Sequence, residues 1–353
     1  GDQLRRHSTP IPGGEFVNAA GERVVGVELP PGTVGRLGYP PIVTFDQPAL
    51  EASLRAAAVD AGVDLRLGVE AVAVADTDVG VRTEIRGGAI SARWLVAADG
   101  AKSTVRDLRG IEMVDQGFDQ TWLVVDTTVL DPELPLPHLA RQYCDPDRVH
   151  TFVPGPGAHR RWEFQLHDHE TREDVLHDEA IAEFLRPWGT TRQLRIDRAA
   201  VYRFHATVAE RFRDGPVFLA GDAAHQMPPF NGQGMCTGLR DAENLSWKLA
   251  IVAAGHATDG LLDTYEAERR PHAEGQVVHA VDAGELMQAI AHDGDAALDS
   301  GYGRRPFPKL EGDLFEEGHP LVGAVLPAAE VEVELPTDGW LVISTTGRDV
   351  DAV

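Results

Sequence analysis

The sequence predicts an α/β fold in which buried strands alternate with helices and a second, mixed β-sheet is inserted between them. Three observations carry that prediction. Residues 217–220 and 94–98 are short apolar runs, the pattern of strands buried on both faces, closed by Gly221 and Asp222 in one case and by Asp99 and Gly100 in the other. From about Thr237, the apolar residues Leu239, Ala242, Leu245, Leu249 and Val252 recur at helical spacing until Gly255 supplies a stop. Between the two runs, residues 115–213 alternate in the manner of strands.

In chain order, residues 15–17 and 23–29 flank a turn at Asn18 to Gly21, predicting a β-hairpin, and no helix is expected before Pro41. Asp46 reads as the N-cap of a helix with Pro48 in its first turn, Leu50, Leu54 and Ala57 along one face, and an end at Gly62. Strands are expected over residues 63–67, 70–75, 79–86 and 89–95, the last running into the Asp99-Gly100 turn. Ser103 suits the N-cap of a short helix after that turn. In the inserted region, strands are expected over 121–129, 141–143, 149–153, 161–166 and 200–206, with one helix over 178–188. A long helical pattern over 261–289 pairs Glu266 with Arg270 at i,i+4. Residues 291–325 read as a linker rich in Asp, Gly and Pro, and 326–353 as the start of a truncated C-terminal domain with strands at 331–334 and 340–344.

Composition narrows the function classes. A chain of 353 residues with 43% hydrophobic content is long enough for two packed domains or one large α/β unit. Its net charge of −24 argues against nucleic acid or an anionic membrane as partner, and no apolar run is long enough to span a bilayer. Cys144 and Cys236 lie far apart with no metal-type spacing, so a reducing cytoplasm is expected, with Cys236 a small buried residue. His167, Asp168 and His169 offer too few ligands in one short loop for a metal, and no metal site is expected.

Chemistry concentrates after residue 216. A short carboxylate at the end of a buried strand, Asp222, suits a sugar or polyol hydroxyl in the crevice beyond the strand ends. Pro228 and Pro229 then prevent helix, and Gly232, Gln233 and Gly234 open one whose free N–H groups and positive dipole end face the ligand. That end stabilises negative charge, such as the one on the N1–C2=O edge of a reduced flavin.

The stretch GDAAHQMPPFNGQGMCTGLRDAENLSWKL, from Gly221 to Leu249, resembles the second flavin-binding motif of the single-component FAD-dependent aromatic hydroxylases, the p-hydroxybenzoate hydroxylase class. The MPPFNGQGM form and RRWEFQL at 160–166 are most similar to the 3-(3-hydroxyphenyl)propionate hydroxylase branch. The turn from Asp99 through Gly100 to Arg106 resembles the middle motif of the same class, implicated in FAD and reduced-nicotinamide binding. The class opens with a GxGxxG fingerprint, and none occurs in this chain. The resemblance therefore implies a Rossmann-like FAD-binding domain lacking its first βαβ unit, in parts over 45–114 and 213–290, with a substrate-binding sheet over 115–212 to which residues 1–44 contribute strands. The C-terminal unit would be thioredoxin-like.

What the resemblance implies for chemistry is a monooxygenase of aromatic catabolism. It would use NADH or NADPH and O2 and hydroxylate a phenolic ring through a flavin C4a-hydroperoxide. The same architecture serves polyketide and antibiotic tailoring, which stays open as an alternative, as does a flavin-free, non-catalytic fragment. Cofactor contacts are implied for Gln47, Asp99, Gly100, Arg106, Gly221, Asp222, Pro229, Gly232, Gln233, Gly234, Met235 and Asn244. Pro229 would lie at the reacting face. Gln47 suits the ribose side or, equally, a solvent-facing first turn, and Asp99 and Arg106 could hold each other or organise phosphates. His205 is a candidate base for a phenol or a core histidine; Tyr143, Phe152, Trp162, Phe164, Tyr202 and Phe204 offer aromatic faces for a pocket or a core. The expected partners are a small aromatic substrate and O2, with a homodimer allowed.

Overall fold

A computed structural model describes residues 5–35, 38–294 and 308–310. The linker and C-terminal strands expected beyond 294 lie outside the described residues, apart from residues 308–310. Strand β1 (Ser8–Pro10) precedes the expected hairpin, β2 (Gly13–Asn18) and β3 (Arg23–Glu28), and β4 (Val43–Phe45) pairs back onto β1. Helix α1 (Gln47–Asp60) starts where the sequence requires, because the Asp46 side chain accepts from the Ala49 N–H. Its apolar stripe is not a core face. Only Leu50 is buried, while Leu54 is 53% exposed, since no described element packs over that side.

The strand expected over residues 63–67 does not form; Val63, Leu65 and Leu67 are exposed in irregular chain with no strand to pair with. An antiparallel meander follows, β5 (Ala71–Thr77), β6 (Gly80–Ile85) and β7 (Gly88–Ala92). The strand expected over 89–95 is two strands. The chain leaves the meander at Arg93 and Trp94, whose side chains stack, and β8 (Leu95–Ala97) enters a different sheet. Helix α2 (Thr104–Leu108) is capped by Ser103, as expected.

The inserted region builds the largest sheet from β9 (Met113–Val129), β10 (Ala140–Cys144), β11 (His150–Pro154), β12 (His159–Gln165) and, after helices α3 (Arg172–Val175) and α4 (Asp178–Leu185), β13 (Leu194–Ala209). Next come β14 (Arg213–Asp214), β15 (Val217–Leu219) and β16 (His225–Gln226), then the long helices α5 (Gly234–Ala253) and α6 (Asp263–Asp293). The eight-stranded sheet runs β16-β13-β9-β12-β11-β10-β2-β3 and is mixed, with β2 and β10 parallel. A three-stranded sheet, β14-β15-β8, holds β15 and β8 parallel.

Alternation gives the large sheet two apolar faces. On one, Leu123, Val125, Phe152, Trp162 and Phe164 pack against Ile181 and Leu185 of α4. On the other, Trp122, Cys144 and Val149 meet Leu286, Met287 and Ile290 from the end of α6. Burying such a side chain stabilises by roughly 1.5–3 kcal/mol, so these three residues of α6 outweigh the roughly 3 kcal/mol that an interior proline costs a helix, and α6 runs through Pro271 unbroken. Burial raises the Cys144 thiol to about 12, leaving it an inert core group; Cys236, expected as a small buried residue, is half-buried.

Candidate active site

The parallel register Leu95↔Val217 and Ala97↔Leu219 sets the carboxyl ends of β8 and β15 side by side, and Ala220 N donates to Ala97 O at 2.9 Å. The Asp99-Gly100 and Gly221-Asp222 turns therefore emerge together at one sheet end, where α/β proteins bind ligands. Gly100 (φ +82°) and Gly221 (φ +60°) occupy left-handed backbone that a side chain would strain. Arg106 joins the two turns. Its guanidinium is buried and donates to the carbonyls of Ala101 (3.1 Å) and Ala223 (3.2 Å), while Gln226 Nε2 donates to Ala101 O at 3.1 Å.

Asp99 and Arg106 do not hold each other. Asp99 accepts from Ser103 Oγ and from the Val105 N–H at 3.1 Å, which organises the start of α2 and leaves Arg106 to the carbonyls. Asp222 is exposed and makes no hydrogen bond to any described residue; the protein around it pushes its carboxyl above the usual range, with His225 opposing.

Beyond Asp222, β16 pairs with β13 and thereby fixes the loop to the edge of the large sheet. Pro229 is half-buried, and Gly232 (φ +60°) has open space where a Cβ would lie. Helix α5 begins at Gly234 with no side chain capping it, so its first N–H groups are available, and Met235 is exposed in that first turn. Gln233 is the N-cap residue, its Oε1 facing Arg240. Asn231 Nδ2 donates to His279 O at 2.8 Å, tying the loop to α6. Phe230, next in the loop to Pro229, packs on Trp122 (5.1 Å between centroids) and Phe118 (5.8 Å), and Trp122 on Phe204 (6.5 Å). An aromatic wall thus adjoins the glycine loop.

Several expected residues lie elsewhere. His205 is opposite Asp119 in register, 3.6 Å from its carboxylate, and alternation turns it to the face away from Phe204. It is 39% exposed, which corrects the expectation of a base at the crevice. Gln47 is solvent-facing and donates to Glu51 of its own helix. Asn244, for which a cofactor contact was implied, lies ten positions beyond the helix start and donates to Glu268 Oε2 at 2.6 Å. Phe152, Trp162 and Phe164 are core under α4, and Tyr143 stacks on His150; of the six aromatics named, Phe204 alone joins the Trp122–Phe230 wall directly, with Tyr202 stacked behind it.

The residues that fix the loop are ones the apolar pattern hides. Leu239 is 52% exposed and Ala242 is exposed; the buried face of α5 is Thr237, Asp241, Leu245, Lys248 and Val252. Asp241 Oδ2 accepts from the Gly221 N–H at 3.1 Å and lies 2.7 Å from His225 Nε2, while Oδ1 accepts from Arg269 Nε at 2.8 Å. Burial alone would raise this carboxyl, but His225 and Arg269 outweigh it and hold it below the usual range. Lys248 donates to Glu268 at 2.8 Å, and burial still lowers its ammonium. Glu266 caps the Phe212 and Arg213 N–H groups and Arg270 donates to Ala209 O, so the expected Glu266–Arg270 pair is not formed. The signal was present in sequence as polar residues at helical spacing, 237, 241, 244 and 248, facing a second such set at 268, 269, 272 and 276.

Residues 1–280 match the FAD binding domain family. The chain belongs to that family. It is 36% identical over 93% of its length to a probable NADH-specific resorcinol 4-hydroxylase of Rhodococcus jostii, covering 65% of that protein. It is 36% identical over 78% of its length to the 3-(3-hydroxy-phenyl)propionate/3-hydroxycinnamic acid hydroxylase of Mycolicibacterium smegmatis, covering 49% of it. The chain thus spans about half to two thirds of the length of these relatives. In structure it resembles the p-nitrophenol 4-monooxygenase of Pseudomonas putida (25% identity, TM-score 0.73, 86% of this chain and 79% of that one). It also resembles aklavinone-11 hydroxylase, solved with FAD and aklavinone (26%, 0.71, 83% and 58%). The site fits the family's cofactor: open space at Gly232, an uncapped helix start for a negative ring edge and a free carboxylate at Asp222 for the ribityl chain. Among the described residues no helix is long and apolar enough to cross a membrane.

Proposed function

We propose that the chain carries the catalytic body of an FAD-dependent monooxygenase that hydroxylates a phenolic ring with reduced nicotinamide and O2. The observation that carries this reading is the continuity of the glycine loop with the aromatic wall: Phe230 leaves the loop at Pro229 and packs on Trp122 of the large sheet. When bound, FAD supplies the hydride acceptance and oxygen activation that no side chain can.

The protein's part is to hold and shield. Asp222 would bind ribityl hydroxyls, and the opening N–H groups of α5, from Gly234 and Met235, would face the ring's anionic edge. Gly221 and Gly232 would give the backbone its close approach and Pro229 would border the reacting face, while Arg106 keeps the Asp99-Gly100 turn, the expected nucleotide side, locked to the Gly-Asp turn. Phe230, Phe204 and Trp122 would exclude water from that face. A cytoplasmic setting, where reduced nicotinamide is supplied, agrees with two unpaired cysteines.

The likeness to aklavinone-11 hydroxylase supports a second reading, in which the phenol is part of a fused-ring polyketide. One experiment separates these. The full-length protein is loaded with FAD, and NADH consumption is followed with resorcinol, 3-(3-hydroxyphenyl)propionate and a fused-ring phenol under 18O2. Label in a monocyclic product supports the first reading and label only in the fused-ring product the second; no flavin uptake or no label in any product overturns both.

A further inference from the structure

The RRWEFQL strand holds a buried carboxyl that the reaction above leaves without a task. Trp162 and Phe164 face α4, so alternation turns Arg161, Glu163 and Gln165 to the face that carries Trp122. Register sets Glu163 between Thr151 on β11 and Val124 on β9, one pleat from the Gln165↔Trp122 pair and hence close to the wall that ends at Phe230.

Glu163 is 6% exposed and has no hydrogen bond or ion pair among the described residues. Its polar neighbours are already engaged. Thr151 Oγ1 donates to Gln142 Oε1, and Arg161 grips Asp126 with Nε at 2.8 Å and Nη2 at 3.2 Å, where His159 and Arg198 also converge. The charged groups that act on Glu163 are Arg161, which lowers its carboxyl, and Asp126, which raises it; burial exceeds both and pushes it to about 7. Leaving a carboxyl bare in such a place is costly unless something else completes it.

Resting on the hydroxylase reading, we propose that Glu163 accepts the hydrogen bond of a substrate ring hydroxyl and so selects a neutral phenol beside the Trp122–Phe230 wall. Accepting that proton's hydrogen bond increases the electron density of the ring carbons ortho and para to the hydroxyl, the positions that an electrophilic oxygen attacks. A substrate carboxylate at the same place would meet a like charge, so an anionic tail must point away from Glu163.

The test uses the FAD-loaded full-length protein, with resorcinol and its dimethyl ether as probes, Kd being read from flavin absorbance changes and from calorimetry. Wild type should bind resorcinol about tenfold or more tighter than the ether, the margin of one hydrogen bond to a charged group. That margin should widen as pH rises through about 7, where the carboxylate forms. E163Q should keep its FAD content, lose most of the preference and lose its pH dependence, and E163D should recover part of both. An E163Q protein with wild-type preference and pH profile overturns the role of Glu163 while leaving the hydroxylase reading intact. Wild type that hydroxylates no phenol overturns that reading and this proposal with it. If E163Q does not fold, the wild-type profile decides, since an affinity ratio flat from about pH 5.5 to 8.5 overturns the proposal.

Discussion

Arg106 Nη1 donates to the carbonyl of Ala223 at 3.2 Å, across 117 positions of sequence. This contact, with its partner to Ala101, makes one structure of two turns that belong to different strands.

Arg106→Ala should therefore cost about 1–3 kcal/mol, because the buried Ala223 carbonyl loses its donor, whereas the Ala101 carbonyl keeps Gln226 Nε2. Urea denaturation checks the stability. The same variant should bind FAD more weakly, read by flavin fluorescence; unchanged affinity would show that the turns keep their places without the bridge.

Asp241→Asn should cost about 3–5 kcal/mol, since it leaves the Arg269 guanidinium buried without its counter-charge. Asp222→Asn should leave the denaturation midpoint near wild type and weaken FAD binding, because Asp222 is exposed and unbonded. Comparing midpoint and affinity in the two variants checks the division between holding the loop and holding the ligand.

Gly284→Ala places a Cβ 2.8 Å from Phe230 Cε2 and 2.9 Å from Phe118 Cε2. Helix propensity favours alanine by roughly 1 kcal/mol, but overpacking costs about 1–3 kcal/mol, so the net effect should be a loss of up to about 2 kcal/mol. The displaced Phe230 should also raise KM for a phenol.

His272 is buried, and burial together with Arg269 and Arg240 lowers its imidazole to about 4. The unfolded chain then binds a proton near pH 6.5 that the native state refuses until about pH 4. Stability should be fully present above about 6.5 and fall by about 3 kcal/mol as pH drops to 4. Urea unfolding of wild type and His272→Gln across that window checks it; the variant should show the shallower decline.

Local chemistry was legible in the sequence. The Asp46 and Ser103 caps, the strand before Gly221 and the glycine-opened helix depend on neighbours within a few positions, and all are present. The strand expected over 63–67 failed for lack of a pairing partner, which alternation cannot reveal. The buried face of α5 was misread because Asp241 and Lys248 count as surface residues until Arg269 and Glu268 of α6 are brought against them. His205 was misplaced by nearness in sequence, although alternation beside Phe204 already put the two on opposite faces.

The ion pairs of α5 also impose an order of events. Until α6 docks, Lys248 has no counter-charge and Asp241 has His225 alone, and a helix with charges on its inner face resists burial. The Gly221 N–H, held by Asp241, and the Leu219 carbonyl, which receives the Tyr265 hydroxyl at 2.7 Å, both wait on that docking. The cofactor loop should then complete its hydrogen bonds only once α6 is in place. A ribosome must have released the chain well past Arg269 before the loop can close, so flavin capture should follow translation of α6.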